Sequence, residues 1–390
     1  MRKTVIVTSI LAALAGCHQT PVKEARIEAY ARWNHTRAKV LCGVAQEHLK
    51  CGRLDLAALK AQEALALQPE FTEARVLLSR VCIEQGNYPV AIDQLTTLAD
   101  EAPGSAEVHY LLGVAQEKNR QLADALESYR KAQVSSENNL PAIMAATEVL
   151  VAMDRLREAH HQIDSYMSLA GDEPGMYELA GRVAMLGGEY ARAVQYYQQA
   201  CDVDYKNEAY REMLARSQFH AGLYSNAIVT LQQLAQADKY RDQAWVHAML
   251  GDCQMALNCA IKAREPYFRA TQLSPAKAGV WAKLGQASLA CDDVPQAIES
   301  AMAALRLDSA SLDATLLLGY ALLRDGQVTR SIRILTAATN RHPNSGTLYC
   351  LLGRAHATSG DRPQAMRCYA AALRVEPTNR LARELLSIAG

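Results

Sequence analysis

The residues of this chain that could do chemistry are its cysteines and histidines. Ten cysteines occur in 390 residues, and nine of them follow Cys17 without regular spacing. An odd number of cysteines is a poor framework for disulfide bonds. The sequence also contains no Cys-x-x-Cys pair, the spacing that is typical of zinc sites. The adjacent His160 and His161 would point about 100° apart on a helix, so one metal ion would not take both. We therefore predict no metal site and expect the cysteines to pack as small apolar side chains, although export would permit a disulfide bond.

No pattern of residues marks a catalytic centre. The Gly187-Gly188 pair lacks the preceding strand and the Gly-Lys-Ser/Thr sequence of a phosphate loop. Acidic pairs such as Asp292-Asp293 fall in predicted turns, where carboxylates cap helices. Lysine plus arginine and aspartate plus glutamate each number 41, so the chain lacks the basic surface typical of nucleic-acid binding. The sequence predicts no enzyme, no cofactor and no nucleic-acid partner.

Cys17 stands in a different context from the other cysteines. The chain begins with the basic segment Met1-Arg2-Lys3, followed by a short apolar run from Thr4 to Leu14. This is the layout of a secretory signal peptide. The apolar run is too short for a permanent membrane-spanning helix. We therefore predict a signal peptide over residues 1–16.

The segment Leu14-Ala15-Gly16-Cys17 resembles the bacterial lipobox. The resemblance implies that Cys17 is lipid-modified and becomes the first residue of the mature protein, and several acyl chains anchor a protein stably. The alternative is an ordinary signal peptide cut near Ala15. His18 stands where an aspartate commonly retains such proteins in the inner membrane. The expected location is the cell envelope and, in a Gram-negative host, the periplasmic face of the outer membrane.

A repeat of 34 residues organises the rest of the chain. One position holds a small residue ten times, at Ala45, Ser79, Gly113, Thr147, Gly181, Ala215, Gly251, Gly285, Gly319 and Gly353. Successive members differ by 34, except for a step of 36 between Ala215 and Gly251. A second small residue stands twelve residues after each. Such a period is typical of stacked repeats, and paired small residues let two antiparallel helices approach closely.

A turn-forming residue follows each small position by seven residues. It is glycine, asparagine or aspartate in nine of the ten repeats, and Arg120 is the exception. These types tolerate the left-handed backbone that ends a helix. Each repeat is therefore predicted to be helix, tight turn, helix and loop. The two extra residues fall near Ala237–Gln243, in the loop between the sixth and seventh repeats.

The repeats resemble the tetratricopeptide repeat. One repeat matches the pattern at Trp281, Leu284, Gly285, Ala297 and Ala304. The resemblance extends from about Ala38 to Pro377. It implies an all-α, right-handed superhelical solenoid of about ten helix-turn-helix repeats with a C-terminal capping helix.

The predicted organisation has four parts. A signal peptide at 1–16 precedes a lipid-anchored N-terminus and leading helix at 17–37. The solenoid follows at 38–377 and the capping helix at 378–390. A terminal helix of this kind covers the apolar face of the last repeat.

The resemblance implies that the first helix of each repeat lines a concave groove that binds segments of other proteins. The groove positions are Gln46, Arg80, Val114, Glu148, Arg182, Arg216, Asp252, Gln286, Tyr320 and Arg354. The candidate contacts are Arg182, Arg216, Phe219, Glu178 and Glu212. Arginine can hold a carboxylate through two hydrogen bonds, and Phe219 offers apolar surface. The alternative is that each arginine is solvated or paired locally with Glu178 or Glu212.

These patterns together predict an exported, membrane-anchored lipoprotein that acts as a tetratricopeptide interaction scaffold. Its expected partners are protein or peptide segments in the groove and a membrane that holds the lipid on Cys17. Its expected setting is the assembly of an envelope machine such as a pilus, a secretion pore or a polysaccharide exporter. The alternative is a noncatalytic subunit of an envelope polysaccharide synthase or export complex.

Overall fold

The computed structural model describes residues 20–136, 139–169 and 171–389. All regular secondary structure in these ranges is helical, so the all-α prediction is confirmed. The predicted signal peptide at 1–16 and Cys17 lie outside the described residues. The chain divides into two compact units, which meet in sequence between Asp172 and Glu173.

The first unit contains repeats 1–4. Its helices are α1 (Thr20–Lys50), α2 (Leu54–Leu67), α3 (Thr72–Glu84), α4 (Tyr88–Glu101), α5 (Ala106–Lys118), α6 (Leu122–Ser135), α7 (Leu140–Ala152) and α8 (Leu156–Tyr166). A short 3-10 turn at Met167–Leu169 follows them. Each repeat is a hairpin of two helices, which we name helix A and helix B.

The second unit contains repeats 5–10. Its helices are α9 (Pro174–Leu186), α10 (Tyr190–Val203), α11 (Glu208–His220), α12 (Tyr224–Gln236), α13 (Asp238–Arg241), α14 (Ala244–Ala256), α15 (Ala260–Leu273), α16 (Ala278–Ala290), α17 (Val294–Leu307), α18 (Leu312–Arg324), α19 (Val328–Thr339), α20 (Gly346–Thr358), α21 (Arg362–Val375) and α22 (Arg380–Ala389). Helices A are α9, α11, α14, α16, α18 and α20. The last helix, α22, buries Ala382 against Cys350 and Ala372 of repeat 10.

All ten turns between helix A and helix B have the same left-handed backbone. The nine residues predicted for this conformation adopt it, with φ of 57° at Asp154 and 73° at Gly188. Arg120 adopts it as well, with φ of 62°, although arginine has no preference for this region. The two helices on either side therefore decide the turn geometry, and the local residue type only makes it easier or harder to reach.

The small positions form the contact between the helices of each repeat, and all ten are buried. In four repeats the small residue is a glycine that faces a tyrosine sixteen residues later, in the pairs Gly113–Tyr129, Gly181–Tyr197, Gly251–Tyr267 and Gly353–Tyr369. A Cβ atom at Gly181 would lie 2.7 Å from the Tyr197 ring. The missing side chain of the glycine therefore makes room for an aromatic ring. The sequence pattern predicts only a contact between two small residues and does not predict this ring.

The two extra residues after repeat 6 form the single-turn helix α13. Its Tyr240 is buried and packs in one cluster with Leu231, Leu234 and Val246. The insertion is therefore part of the core between α12 and α14.

The first helix is much longer than the others. Helix α1 has 31 residues, whereas α3 has 13. One continuous helix thus covers both the predicted leading segment and helix A of repeat 1. Residues 23–33 are all exposed, and burial begins at Asn34 and Ala38. Among the described residues, none of the helices combines the length and hydropathy that a membrane span requires.

Candidate functional site

The five predicted contact residues lie on two successive helices A of the second unit. Glu178 and Arg182 are one turn apart on α9, and Glu212 and Arg216 are one turn apart on α11, where Phe219 follows. All five side chains are half-buried. The spacing of four residues places each glutamate and arginine on one face of its helix, as the sequence pattern predicts.

Arg216 is engaged by its own surroundings. Its Nε donates a hydrogen bond of 3.0 Å to Glu212 Oε1, and a second guanidinium nitrogen lies 2.9 Å from the same oxygen. The guanidinium carbon lies 4.2 Å from the ring centroid of Trp245, at the start of the next helix A. Arg216 is thus held by a carboxylate and a cation–π contact. A peptide carboxylate would have to compete with Glu212 for this guanidinium.

Glu178 and Arg182 act on the buried tyrosine beneath them. Burial raises the pKa of the Tyr197 hydroxyl far above its usual range, the charge of Glu178 raises it further, and Arg182 opposes this shift. Glu178 also contributes to raising the pKa of Tyr210, where burial is again the largest cause. The two side chains therefore belong to the polar border of the core of repeats 5 and 6.

Phe219 serves mainly in packing. Its ring meets His220 and Tyr224 edge to face, at centroid distances of 5.6 Å and 5.7 Å. It also packs against the apolar cluster of repeats 6 and 7. The contact role of the five predicted residues stays a prediction. Arg216, Glu212 and Phe219 already contact other residues of this chain.

The same face continues with further contacts between repeats. Lys283 Nζ lies 2.7 Å from Asp252 Oδ2, which joins α16 to α14. The Arg354 guanidinium lies 5.6 Å from the Tyr320 ring centroid, which joins α20 to α18. At several groove positions of the second unit, the side chain therefore contacts a neighbouring repeat.

The first unit differs at the corresponding positions. Gln46 of α1 and Arg80 of α3 together line two cavities of about 390 Å³ and 260 Å³. The larger cavity is bounded by α1, α2 and α3, and the smaller one by helices A of three successive repeats, α1, α3 and α5. In the described part of the chain, no hydrogen bond or ion pair holds the Arg80 guanidinium. We name the surface around Gln46 and Arg80 the open A-helix face.

The sequence contains a signal that separates Arg80 from the predicted arginines. Arg182 and Arg216 each have a glutamate four residues earlier, whereas Arg80 has Val76 there. A glutamate one turn before an arginine forms the more favourable pair on a helix. The predicted contacts Arg182 and Arg216 are therefore the arginines best placed to be paired within the chain.

A cavity of about 600 Å³ lies elsewhere in the second unit, between α10, α11 and α12. Several of its polar lining residues are bonded to each other or to nearby backbone. Thr230 donates a hydrogen bond of 2.8 Å to Gln218, and Gln198 donates one of 2.9 Å to Asp202. Arg211 donates to the backbone oxygen of Tyr205 at 2.8 Å. This cavity offers fewer unused polar groups than the open A-helix face.

The cysteines are free thiols throughout the nine described positions. Burial raises the pKa of Cys201 to about 11 and that of Cys253 to about 12. Thiols with a raised pKa are poor nucleophiles and poor metal ligands near neutral pH. Across residues 20–136, 139–169 and 171–389, histidine, cysteine and acidic side chains do not gather in groups that could hold a metal ion.

Comparison with known proteins identifies the repeats. Sequence profiles described as tetratricopeptide repeat match residues 48–115, 178–244, 282–345 and 346–379, which together span more than half of the chain. None of the curated protein sequences compared with this chain matches it.

Solved structures of similar chains were also found. A crystal structure of MamA is 22% identical, with 42% of this chain and 95% of that chain covered and a TM-score of 0.40. Cut9–Hcn1, a hetero-tetramer of the APC/C, is 13% identical, with 90% and 96% covered and a TM-score of 0.43. The C-terminal part of a repeat protein from Cytophaga hutchinsonii is 17% identical, with 71% and 99% covered and a TM-score of 0.47.

The profile matches agree with the helical hairpins, the buried small positions and the left-handed turns described above. The chain therefore belongs to the tetratricopeptide repeat family, whose members are protein-interaction scaffolds.

Proposed function

We propose that this chain is an exported lipoprotein, anchored through Cys17, that binds extended segments of other proteins at the open A-helix face. One observation carries the binding proposal. Arg80 is half-buried, borders two cavities and has no bond to the rest of the described chain. A guanidinium in this position can take a carboxylate through two hydrogen bonds.

The walls around Arg80 specify the chemistry of the bound segment. The smaller cavity combines the apolar side chains of Val76, Leu77 and Val108 with the carboxylates of Glu73 and Glu107. Apolar walls with a few charged groups are typical of sites that both bind and orient a ligand. We expect a segment with a carboxylate for Arg80, an apolar side chain beside it and a basic group within reach of the glutamates.

The anchoring proposal is supported by the sequence around Cys17. A basic start, a short apolar run and the Leu14-Ala15-Gly16-Cys17 segment all agree with lipid modification. We further propose that the scaffold acts in the assembly of an envelope machine and has no catalytic activity of its own. A noncatalytic subunit of a polysaccharide synthase or exporter is the alternative, and the identity of the bound partner distinguishes the two.

A photo-crosslinking experiment tests the binding face. Benzoylphenylalanine at Gln46, in the full chain in cells, should crosslink to a discrete partner that mass spectrometry can identify. The matched control is Gln62, an exposed glutamine on α2 of the same repeat that lines neither cavity. Equal crosslinking from both positions, or from Gln62 alone, would show that the open A-helix face does not bind.

The Arg80→Ala variant tests the guanidinium itself. We expect the crosslinked product from Gln46 to fall by about tenfold, a loss of about 1.4 kcal/mol, because arginine is enriched among the interface residues whose truncation costs most. Arg157→Ala, on an exposed face of α8, is the control and should leave the product unchanged. An undiminished product in Arg80→Ala would rule out the carboxylate contact.

Palmitate labelling tests the anchor separately. Cys17→Ser should lose the label and leave the membrane fraction, whereas Cys51→Ser, which removes an exposed cysteine of the first unit, should keep both. Label retained in Cys17→Ser would overturn the lipoprotein assignment.

A further inference from the structure

Helix α1 carries an exposed seam of aromatic, aliphatic and basic side chains. The seam follows spacings of three and four residues, at Lys23, Arg26, Tyr30, Trp33, Arg37, Val40 and Val44. This spacing keeps the side chains on one face of a helix. Tyr30, Trp33 and Val40 are 65%, 54% and 62% exposed. The two rings touch each other at 6.0 Å, and Arg37 lies over Trp33 at 5.4 Å.

Part of this seam is a stacking face that later repeats bury. Val108 and Leu112 occupy the positions of Val40 and Val44 two repeats on, and they pack in one cluster with Leu95 and Leu98 of the preceding helix B. In α1 no described helix precedes, and Val40 and Val44 remain open. Exposed apolar surface at the end of a repeat stack costs stability unless something covers it.

The first part of α1 has still less support. Residues 23–33 are exposed on all sides, so this stretch of helix does not pack against the described chain. Most of the stability of a helix in a protein comes from the packing of one of its faces, and this stretch has no such packing within the described residues. The length of α1 therefore indicates that its exposed seam contacts something other than the described part of the chain.

The charges of the seam point to the nature of that contact. The seam carries three basic residues, Lys23, Arg26 and Arg37, and no acidic residue. Glu24 and Glu28 lie on other faces of the helix. Among the described residues of α1, the ion pair present is Lys50–Glu47, beyond the end of the seam. The covering surface should therefore be anionic as well as able to accept aromatic rings.

We infer that α1 lies along an anionic lipid surface, with Tyr30 and Trp33 at the level of the headgroups and Arg26 and Arg37 against the phosphates. Tyrosine and tryptophan favour this level of a bilayer, and arginine and lysine can extend their charged ends towards it. The stacking face of repeat 1 then turns towards the membrane. A helix in the plane of the interface is held by the apolar area that it buries and by electrostatic attraction to anionic lipids.

A second copy of the chain is a less favourable cover. Pairing two α1 seams would bury up to six cations without a carboxylate to meet them, and burying unpaired charge is costly. A lipid surface leaves the cations in contact with water and phosphate. It also needs no complementary helix shape around the large rings.

This inference rests on the proposed function, because the lipid on Cys17 would hold α1 near the membrane. Cys17 precedes Thr20 by three residues, which can span at most about 11 Å of extended chain. A lipid on Cys17 would therefore hold the start of α1 close to the headgroups. The seam decides which side of the helix turns towards them.

The test uses the purified full chain with vesicles of phosphatidylcholine alone or mixed with phosphatidylglycerol. Brominated lipids should quench the fluorescence of wild type more than that of Trp33→Phe, and the difference reports Trp33 alone. Arg26→Glu/Arg37→Glu should bind the anionic vesicles at least about tenfold more weakly. The matched control is Tyr205→Ser/Lys206→Glu, which changes another exposed aromatic and cation pair and should bind as wild type does.

The outcomes separate this inference from the anchor. If Cys17→Ser loses its palmitate but Trp33 is still quenched, both the anchor and the seam contact are supported. If palmitate is present and Trp33 is not quenched in any vesicle, the seam does not face lipid and the inference fails while the anchor stands. A dimer in lipid-free solution that Arg26→Glu/Arg37→Glu or Trp33→Ser dissociates would show that a second copy covers the seam, and would also overturn the inference.

Discussion

The hydroxyl group of Tyr240 donates a hydrogen bond of 2.8 Å to Oε2 of Glu212. Tyr240 belongs to the inserted helix α13, and Glu212 belongs to helix A of repeat 6. The other oxygen of Glu212 accepts from Arg216, whose guanidinium lies over Trp245 of repeat 7. The insertion thus completes a polar network that joins two repeats at the predicted binding face.

Removing the Tyr240 hydroxyl tests the network. Tyr240→Phe should lower the free energy of unfolding by about 1 kcal/mol, because it leaves a half-buried carboxylate short of one donor. Tyr240→Ala should cost about 3–5 kcal/mol, because it also empties a buried ring position. Hydrogen exchange of α12 and α14 should report the loss locally. An unchanged exchange rate in Tyr240→Ala would mean that α13 does not support the core.

Substitutions at two glycines test whether a tyrosine ring of helix B fills the space left by the glycine of helix A. A Cβ atom at Gly251 would lie 2.5 Å from Tyr267, whose hydroxyl donates to Asp252 at 2.7 Å. Gly251→Ala should therefore destabilise the second unit, because overpacking of up to about 3 kcal/mol exceeds a gain in helix propensity of about 1 kcal/mol. Gly43 in α1 has open space around its Cβ position, so Gly43→Ala should stabilise its helix by about 1 kcal/mol. Urea denaturation of both variants compares the two, and a shift in the same direction would contradict the packing argument.

The turn at Arg120 should be improvable. Its φ of 62° is costly for a residue with a Cβ atom, and the other turns place glycine, asparagine or aspartate there. Arg120→Gly should raise the free energy of unfolding by about 0.5–1 kcal/mol, after allowing for the greater freedom of glycine in the unfolded chain. Gly222→Ala makes the opposite change at a turn with φ of 74° and should lower it by about 1 kcal/mol. Thermal unfolding would refute this account if Arg120→Gly were the less stable of the two.

The thiols should differ in reactivity and in their effect on stability with pH. Burial raises the pKa of Cys201 to about 11, so about one molecule in a thousand carries the thiolate at pH 8. Iodoacetamide at this pH should modify the exposed Cys51 and Cys259 well before Cys201 and the buried Cys253. Peptide mass mapping measures the order, and early modification of Cys253 would contradict its burial.

The same shift has a defined sign for folding. The folded state keeps the Cys201 proton to a higher pH than an ordinary thiol with a pKa of 9.0. The stability that this group contributes is therefore complete below about pH 9 and is lost as the pH rises from 9 towards 11. Cys201→Ala should flatten this part of the stability curve, and denaturation midpoints at pH 8 and pH 11 would show whether it does.

Much of the fold could be predicted because its information is local. Gly181 and Ala193 indicate two helices in close contact, and Gly188 between them indicates the turn, all within one span of the chain. The partners of individual side chains could not be predicted in this way. Trp245 is 29 residues from Arg216, and nothing in the spacing of either residue shows that the ring lies under the guanidinium.

The candidate site was only partly predictable for the same reason. The period identifies Arg80, Arg182 and Arg216 as equivalent positions, since each follows its small residue directly. Whether an arginine is bonded depends on what the neighbouring helices place beside it. Arg216 meets Glu212 and Trp245, whereas Arg80 borders two cavities.

The sequence by itself determined that the chain is a series of helical hairpins, where each hairpin turns and which family they belong to. These properties follow from small, apolar and turn-forming residues at fixed spacings, and such preferences act within one or two helices. Only the tertiary structure decided that Arg120 adopts the shared turn geometry, that α13 enters the core and that α1 presents an open seam. Each of these depends on contacts, or on missing contacts, between elements that are distant in the sequence.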